Sequence, residues 1–231
     1  FTLARRGDVD ATQGIATELL QLERAEDPAY VRVLRLSVEM MLHEHRQDIE
    51  QVVACLGRQR AVLYEEPDET LPLMTVESNL VLYLNITGRH EEASELGLTL
   101  LARPELPRTF VIAACCTAYA LAALGRVDEA LGILRRRRRE LAGTPIGVYS
   151  GETLAMLCLA GGRVSDAVRI DAALERQIQR SGRKVHPLTR AFRSVLQEAV
   201  DAAGIAPLDL ERWRGDGEAL GDEGAVEMAL R

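Results

Sequence analysis

The segment LAALGRVDEALGIL, residues 121–134, places a glycine between two runs of apolar residues with helical spacing. Related segments are YLNITGRHEEASEL, residues 83–96, and LCLAGGRVSDAVRI, residues 157–170. Glycine is favoured directly after a helix because that position adopts a positive φ, which is least strained for a residue without a side chain. Each segment therefore predicts a helix, a tight corner and a second helix.

The corners recur along the chain at a regular distance. Two successive intervals between corner glycines are 37 residues long and the next is 42, whereas the first is 81 and leaves room for two repeats. Such spacings, with a helix on each side of the corner, indicate a stack of helical hairpins. The predicted corners lie near Gly7, Gln47, Gly88, Gly125, Gly162 and Gly204.

The residues after each corner describe how the second helix begins. Ala93, Ala130 and Ala167 each lie five residues after a corner glycine, where a small side chain lets the two helices approach closely. Asp128 and Ser165 are placed to accept hydrogen bonds from the free N–H groups of the first turn.

The composition limits the class of protein. Hydrophobic residues make up 47% of the 231 residues and aromatic residues only 4%, which favours closely packed helices over a sheet sandwich. The formal charge of −7 argues against direct binding of nucleic acid by these residues, because phosphate contacts need clustered Lys and Arg. No stretch approaches the roughly 20 apolar residues of a membrane span, so we expect a cytoplasmic protein without membrane contact.

The cysteines and histidines give no metal-binding pattern. His43 and His45 point to different faces of a helix, so the segment HEH does not predict a joint metal site. No CxxC motif occurs, and we expect no cofactor and no metal. The four cysteines are predicted to be small buried helix residues in a reducing compartment: Cys55, Cys115, Cys116 and Cys158.

Motifs of enzyme chemistry are missing as well. The sequence contains no phosphate-binding loop, no G-x-S-x-G and no H-E-x-x-H, so we predict no catalytic residues and no enzyme. Five consecutive arginines, residues 135–139, wrap a whole helical turn and cannot form one basic face. Arg138 falls on the apolar stripe of its helix, and we expect it to reach solvent or to meet an acid on a neighbouring helix.

The corner pattern resembles the tetratricopeptide repeat (TPR) family, whose unit carries Gly and then Ala five positions later at this corner. The resemblance covers residues from about 1 to 205, although Glu77, Ala114 and Gly151 stand where that family has an aromatic residue. It implies an all-α fold, a right-handed α-solenoid of TPR-like hairpins over residues 1–206. Residues 207–231 are then an acidic helical cap, with Trp213 closing the end of the stack.

The C-terminal segment has its own resemblance. It is similar to the end of the repeat region in bacterial signal-transduction ATPases that activate transcription, of the LuxR-type and maltose-regulon-activator-like (MalT-like) kinds. In that family, an ATPase module and a DNA-binding domain flank the repeats. The matching residues are Trp213, Gly217, Ala219, Leu220, Glu223, Ala225, Val226 and Leu230.

The resemblance also implies a binding groove, because ligands of the family lie against the first helices of the repeats. No Lys or Arg occurs at these positions, so an amphipathic helix or a small neutral ligand fits better than an acidic peptide tail. Packing between helices remains the alternative for the same side chains. The groove residues are Met41, Glu44, Ser78, Leu82, Asn85, Cys115, Tyr119, Tyr149, Glu152 and Met156.

Taken together, these features predict a non-catalytic protein-interaction or ligand-sensing domain, a fragment of a larger bacterial transcriptional regulator. Its partner is expected to be a protein or a small-molecule inducer, and the incomplete first hairpin could pair two copies as a homo-oligomer. A freestanding protein–protein scaffold is one alternative. An all-α enzyme that uses the groove carboxylates Glu44 and Glu152 is the other.

Overall fold

The computed structural model describes residues 27–65, 70–107, 110–142, 150–182 and 184–231, together with Gly14 and Glu18, apart from the side chains of residues 70 and 71. Within these ranges every regular element is an α-helix, which confirms the predicted all-α class. None of the described helices combines the length and the apolar character needed to cross a membrane. The helices are α1 Ala29–His45, α2 Ile49–Tyr64, α3 Thr70–Ile86, α4 His90–Leu101, α5 Val111–Ala123, α6 Val127–Arg136, α7 Arg138–Ala142, α8 Ser150–Ala160, α9 Val164–Ser181, α10 Pro187–Ala202, α11 Pro207–Glu218 and α12 Asp222–Leu230.

The chain divides into two compact units, and the division falls inside α3, between Tyr83 and Leu84. The predicted division into a repeat region 1–206 and a cap 207–231 concerns a different boundary and stays a prediction. In the structure the residues of the predicted cap belong to the second unit, because α11 packs against α9 and α12 packs against α8 and α9.

Residues in the left-handed backbone conformation form the corners at the predicted positions. Gly88, Gly125 and Gly162 have φ values of +74°, +75° and +73°, and Gly204 has +61°. Gln47, the predicted corner without a glycine, adopts φ +59° and is the sole non-glycine residue with positive φ among those described. The first predicted corner, Gly7, lies outside the described residues.

Two main-chain hydrogen bonds close each of these corners. At Gly125, its own N–H donates to the Ala122 carbonyl at 2.9 Å and the Arg126 N–H donates to the Leu121 carbonyl at 2.8 Å. The same pair of bonds recurs at the other four corners, Gln47, Gly88, Gly162 and Gly204. This Schellman arrangement satisfies carbonyl groups that a helix end would otherwise leave unpaired.

The helices that follow the corners begin one or two residues earlier than predicted. Arg126 and Arg163 are the N-caps of α6 and α9, and neither Asp128 nor Ser165 caps the helix with its side chain. The reason is the bond from the Arg126 N–H back to the preceding helix, which leaves no room for a longer linker. Arg126 instead forms a two-pronged ion pair with Glu129, at 2.7 and 2.8 Å.

Helix packing in the second unit follows the order of the hairpins. Helix α5 packs against α4, which precedes it, against its own partner α6, and against α8, the first helix of the next hairpin. Helix α8 repeats this pattern with α6, α9 and α10. Each first helix is therefore enclosed on several sides, which explains why nearly every residue of α5 and α8 is buried.

Small residues permit this close packing. The predicted positions Ala93, Ala130 and Ala167 are completely buried. At Gly97 of α4 a Cβ atom would lie only 2.2 Å from the Thr117 hydroxyl of α5, so this helix pair is even closer than an alanine would allow.

We expect the corners to contribute measurably to stability. Gly125→Ala forces a side chain into φ +75° and should lower the free energy of unfolding by more than about 1 kcal/mol. Gly132→Ala, inside α6 of the same unit, meets nothing closer than an Arg136 side-chain nitrogen at 3.8 Å and should raise stability by roughly 0.5–1 kcal/mol. Urea denaturation of both variants measures these changes in unfolding free energy. Changes of the same sign in the two variants would contradict the assigned backbone conformations.

Candidate functional site

The predicted groove residues of the first unit are mostly enclosed. Ser78 and Leu82 on α3 are 3% and 2% exposed. Glu44 on α1 is half-buried, and its carboxylate accepts a hydrogen bond from the Tyr83 hydroxyl at 2.7 Å. Met41 is half-buried as well.

The groove residues of the second unit are buried throughout the described part. Asn85 donates to the Cys116 carbonyl at 2.8 Å, and its own side-chain oxygen lies 3.1 Å from His90 Nδ1. Tyr149 lies outside the described residues. Those found buried are Asn85, Cys115, Tyr119, Glu152 and Met156. Burial favours the alternative in which these side chains pack between helices, and a ligand-binding role for them stays a prediction.

The structure does assemble a polar cluster around Glu152, where α8 contacts α5 and α10. The Glu152 Oε1 atom accepts a hydrogen bond from the Thr189 hydroxyl of α10, and Thr153 donates to the Cys115 carbonyl at 3.1 Å. Both Glu152 Oε2 and the Ser150 hydroxyl are buried without a hydrogen-bond partner among the described residues. Burial accordingly raises the pKa of Glu152, against the lowering effect of the Thr189 hydrogen bond.

The groups near Glu152 hold their protons firmly. Burial, with the nearby Glu152 carboxyl as a further cause, raises the pKa of Cys115 to about 12 and raises the pKa of Tyr119 as well. Burial also raises the pKa of Cys116 well above its ordinary value. A thiol or phenol that stays protonated is a poor nucleophile and a poor base, so the cluster suits packing better than covalent chemistry.

An open cleft lies in the same unit, between α9, α10 and α11. Its volume is about 710 Å³, and most of its lining is charged. The lining residues are Asp171, Ala172, Glu175, Arg176, Gln179, Arg193, Arg214, Gly215, Glu218 and Ala219. Sequence reasoning missed this cleft because its residues come from three helices and carry no common motif.

Ion pairs or a main-chain hydrogen bond hold four of the six charged side chains that line the cleft. Arg193 of α10 contacts Asp171 at 2.9 Å and Glu175 at 2.6 Å, both on α9. Arg176 donates to the main-chain carbonyl of Glu218. Burial raises the pKa of Asp171 although Arg193 opposes the shift. Arg214 is exposed, and no hydrogen bond or ion pair of its guanidinium is found among the described residues, so it is available to a ligand.

Three arginines hold the C-terminal helix. Arg163 donates to the carbonyls of Met228 and Ala229 at 2.8 Å each, and Arg135 donates to the Leu230 carbonyl at 3.1 Å. Cationic groups at a helix C-terminus satisfy its free carbonyls and its negative dipole end. The prediction that Arg138 meets an acid on a neighbouring helix is confirmed, because it pairs with Glu227 of α12.

The close approach of α11 to α9 depends on Gly217 rather than on Trp213. Trp213 is only half-buried, whereas Gly217 is buried, and a Cβ atom there would lie 2.2 Å from the Arg169 carbonyl oxygen. A glycine inside a helix without a turn signal is the sequence feature that could have indicated this contact.

The first unit contains one group of possible metal ligands among the described residues. Glu39 and His43 on α1 and Cys55 on α2 offer ligand atoms that all lie within 4.8 Å of one another. All four cysteines are buried and free, as predicted. The segment HEH pairs His43 only with His45, and the sequence carries no signal for Cys55 because this ligand comes from the second helix of the pair.

Comparison with known proteins adds no assignment: no family model matches the chain, and no curated protein or solved structure matches it either.

Gly217→Ala should disrupt the contact that forms the cleft. The added methyl group overlaps main-chain atoms of α9, and we expect a loss of about 1–3 kcal/mol in unfolding free energy. Gly215→Ala, two residues away on the same helix, meets nothing within 4 Å and should be neutral or stabilising by up to about 1 kcal/mol. Thermal denaturation of the two variants makes the comparison, and similar losses in both would argue against the close contact.

Glu152→Gln tests the buried carboxyl. Since the pKa of Glu152 is raised in the folded chain, folding retains its proton and the ionised group destabilises the protein as the pH rises above 4.5. We expect the variant to be more stable at pH 7 by roughly 1–3 kcal/mol, the range for a buried polar group without a partner, and to lose this advantage below pH 4.5.

Denaturant midpoints of both proteins at each pH measure this difference. The comparison cancels other titrating groups such as His186, whose pKa burial lowers to about 4. Glu198→Gln, on the exposed part of α10, is the matched control and should change stability by less than about 0.5 kcal/mol. An advantage of Glu152→Gln that is independent of pH would contradict the assigned pKa shift.

Proposed function

We propose that the chain is a TPR-like helical-repeat module, an α-solenoid of hairpins that recognises a protein or a small-molecule inducer without catalysis. The observation that carries the proposal is the repeated corner, with two 37-residue intervals, matching φ values and the same pair of main-chain bonds. Repeats of this kind stack on their neighbours and present extended surfaces, which is the architecture of interaction proteins rather than of enzymes.

The environment of the acidic residues also supports a non-catalytic role. The Glu152 cluster combines a carboxyl group with thiols and a phenol whose pKa values are all raised. The thiols and the phenol of the cluster therefore stay protonated at neutral pH, where they can donate hydrogen bonds but are unsuited to act as nucleophiles or bases. The enzyme alternative needs an activated pair, and the contacts of Glu152 give it none.

The charged cleft is the recognition surface in this proposal. A volume of about 710 Å³ accommodates a small ligand or the end of a peptide. Arg214 is the group that a carboxylate or phosphate on the ligand would meet, because the other two arginines are held by Asp171, Glu175 and the Glu218 carbonyl. We therefore propose a polar ligand that carries an anionic group.

The wider role follows from the resemblance of the C-terminal segment. We propose that the module senses its ligand within a bacterial transcription regulator of the signal-transduction ATPase type, LuxR-type or MalT-like. Arginine side chains hold α12 against α6 and α9. These contacts support a role for the C-terminal helix in signalling, because a ligand that moves α9 would also move α12.

The first experiment is to determine the open reading frame on both sides of these residues. A phosphate-binding loop on one side and a helix-turn-helix at either end would support the regulator. An open reading frame without them would leave a freestanding scaffold and would contradict the regulatory part of the proposal.

Arg214→Glu tests the cleft in the intact gene product. Loss of a charge-assisted hydrogen bond of about 1.5–3 kcal/mol should shift the inducer concentration for half-maximal reporter transcription by at least tenfold. Arg212→Glu on the same helix is the control, because Arg212 pairs with Asp209 and does not line the cleft. An equal response in both variants would remove the cleft from the proposal.

A further inference from the structure

Two helix faces of the first unit converge on a compact group of metal ligands. Glu39 and His43 are four residues apart and therefore lie on one face of α1. Their side chains contact each other, with 3.8 Å between His43 Nε2 and Glu39 Oε1. Cys55 lies on α2, which packs against α1, and its sulfur completes the group.

The positions of the atoms suit a small divalent ion. Carboxylate, imidazole and thiolate bind Zn²⁺ at about 2.0–2.3 Å, so tetrahedral ligand atoms are separated by roughly 3.3–3.7 Å. The present separations reach at most 4.8 Å, and movements of about 1 Å or less per atom would bring the three groups into coordination.

A second observation concerns the other nitrogen of His43. His43 Nδ1 is buried and has no hydrogen-bond partner among the residues that the structure describes, and the Asp48 carboxylate lies 3.9 Å from it. Histidine ligands of metal sites characteristically donate their other ring N–H to a carboxylate, which fixes the tautomer and the ring orientation. Asp48 is positioned for this role while its other carboxylate oxygen caps α2 at Gln51.

Arg58 shows that the group already attracts a cation. Its guanidinium donates to Glu39 Oε1 at 2.6 Å and to the Cys55 sulfur at 3.1 Å, so it bridges two of the three ligands. The Arg58 side chain is 51% exposed and can leave this position for solvent. A metal ion would enter from the side that Arg58 covers.

We propose that Glu39, His43 and Cys55 form a binding site for a divalent transition-metal ion of the Zn²⁺ class, which links α1 to α2. The site has three protein ligands and one open position, and Asp48 orients His43. On binding, the Cys55 thiol loses its proton to solvent and the sulfur–metal bond forms, while Arg58 moves aside.

Cobalt is the probe for this site, because Co²⁺ replaces Zn²⁺ and its bond to a thiolate gives a charge-transfer absorption. The full 231-residue chain, treated with a chelator and kept reduced, is titrated with Co²⁺ and then with Zn²⁺. We expect the absorption to appear at one Co²⁺ per chain and to disappear as Zn²⁺ displaces it. Absence of a thiolate band would overturn the proposal.

Variants separate these ligands from the other cysteines. Cys55→Ser should abolish the charge-transfer band, and Glu39→Gln and His43→Gln should each weaken binding at least tenfold. Cys158→Ser and His45→Gln are the controls and should leave the band unchanged. A band that survives Cys55→Ser, or that Cys158→Ser removes, would place the metal elsewhere and reject the site.

Two further variants change Co²⁺ binding in ways that misfolding does not explain. Arg58→Met removes the competing cation from an exposed position and should tighten Co²⁺ binding several-fold, a gain that misfolding cannot produce. Asp48→Asn keeps an N-cap residue but loses the carboxylate partner of His43, and should weaken binding about 10–100-fold. Unchanged affinity in both would reject the arrangement of Arg58 and Asp48.

Discussion

The left-handed corner is the constraint on which the rest of the structure depends. Its positive φ turns the chain, and its two main-chain hydrogen bonds tie the corner residue and the residue after it to the last turn of the preceding helix. Three corner glycines agree within 2° in φ, so the second helix leaves each of these corners in nearly the same direction. Gln47 also adopts a positive φ although it is not a glycine. The packing of the two helices therefore imposes the left-handed conformation even on a residue for which it is strained.

Close packing follows from that constraint. Once the exit direction of a helix is fixed, the distance to its neighbour is set by the side chains at the contact. Completely buried alanines occupy the contacts near the corners, and Gly97 and Gly217 occupy points where even a methyl group would overlap the neighbouring helix. The same geometry encloses α5 and α8 on several sides and turns their polar residues, Glu152 among them, into interior groups.

The parts of the fold that follow local rules could be predicted from the sequence. The corners at Gly88, Gly125 and Gly162 follow from helix-termination chemistry, and the turn at Gln47 follows from the 81-residue interval between glycines. Arg138 meets an acid as predicted, but it does so from the start of α7 and not from an apolar stripe continued from α6, because α6 ends at Arg136. Helix starts were predicted less well, because the bond from the Arg126 N–H is made to the preceding helix.

What the sequence could not supply depends on contacts between distant segments. A helix face that lines an open groove and one that is buried in an interface show the same spacing of apolar residues. The sequence pattern therefore placed Cys115 and Tyr119 on one face of α5 but did not indicate that α8 covers this face. The charged cleft has lining residues from α9 to α11, and Cys55 is distant in sequence from Glu39 and His43. Neither the cleft lining nor the metal-ligand group recurs along the chain, so a search for repeats or short motifs does not detect them.

Charged side chains are not excluded from the interior of this helical fold; instead, acidic side chains there are paired with arginines in small groups. Glu77 is completely buried and accepts hydrogen bonds from Arg60 and Tyr64 at 3.0 Å each. Glu39 and Cys55 share Arg58, and Asp171 and Glu175 share Arg193. Each buried ionic group stabilises only while its partner is present, since the desolvation penalty of the remaining charge is large.

This dependence makes such groups sensitive to a competing ligand. A cation that displaces Arg58 from Glu39 and Cys55 would change both the charge and the packing at that point. At the cleft, Asp171 and Arg193 also act on Glu152: burial chiefly raises the pKa of this carboxyl, Asp171 raises it further and Arg193 lowers it. The buried Glu152 carboxyl is therefore coupled electrostatically to charges that line the cleft, a coupling that a purely apolar core of the same shape would lack.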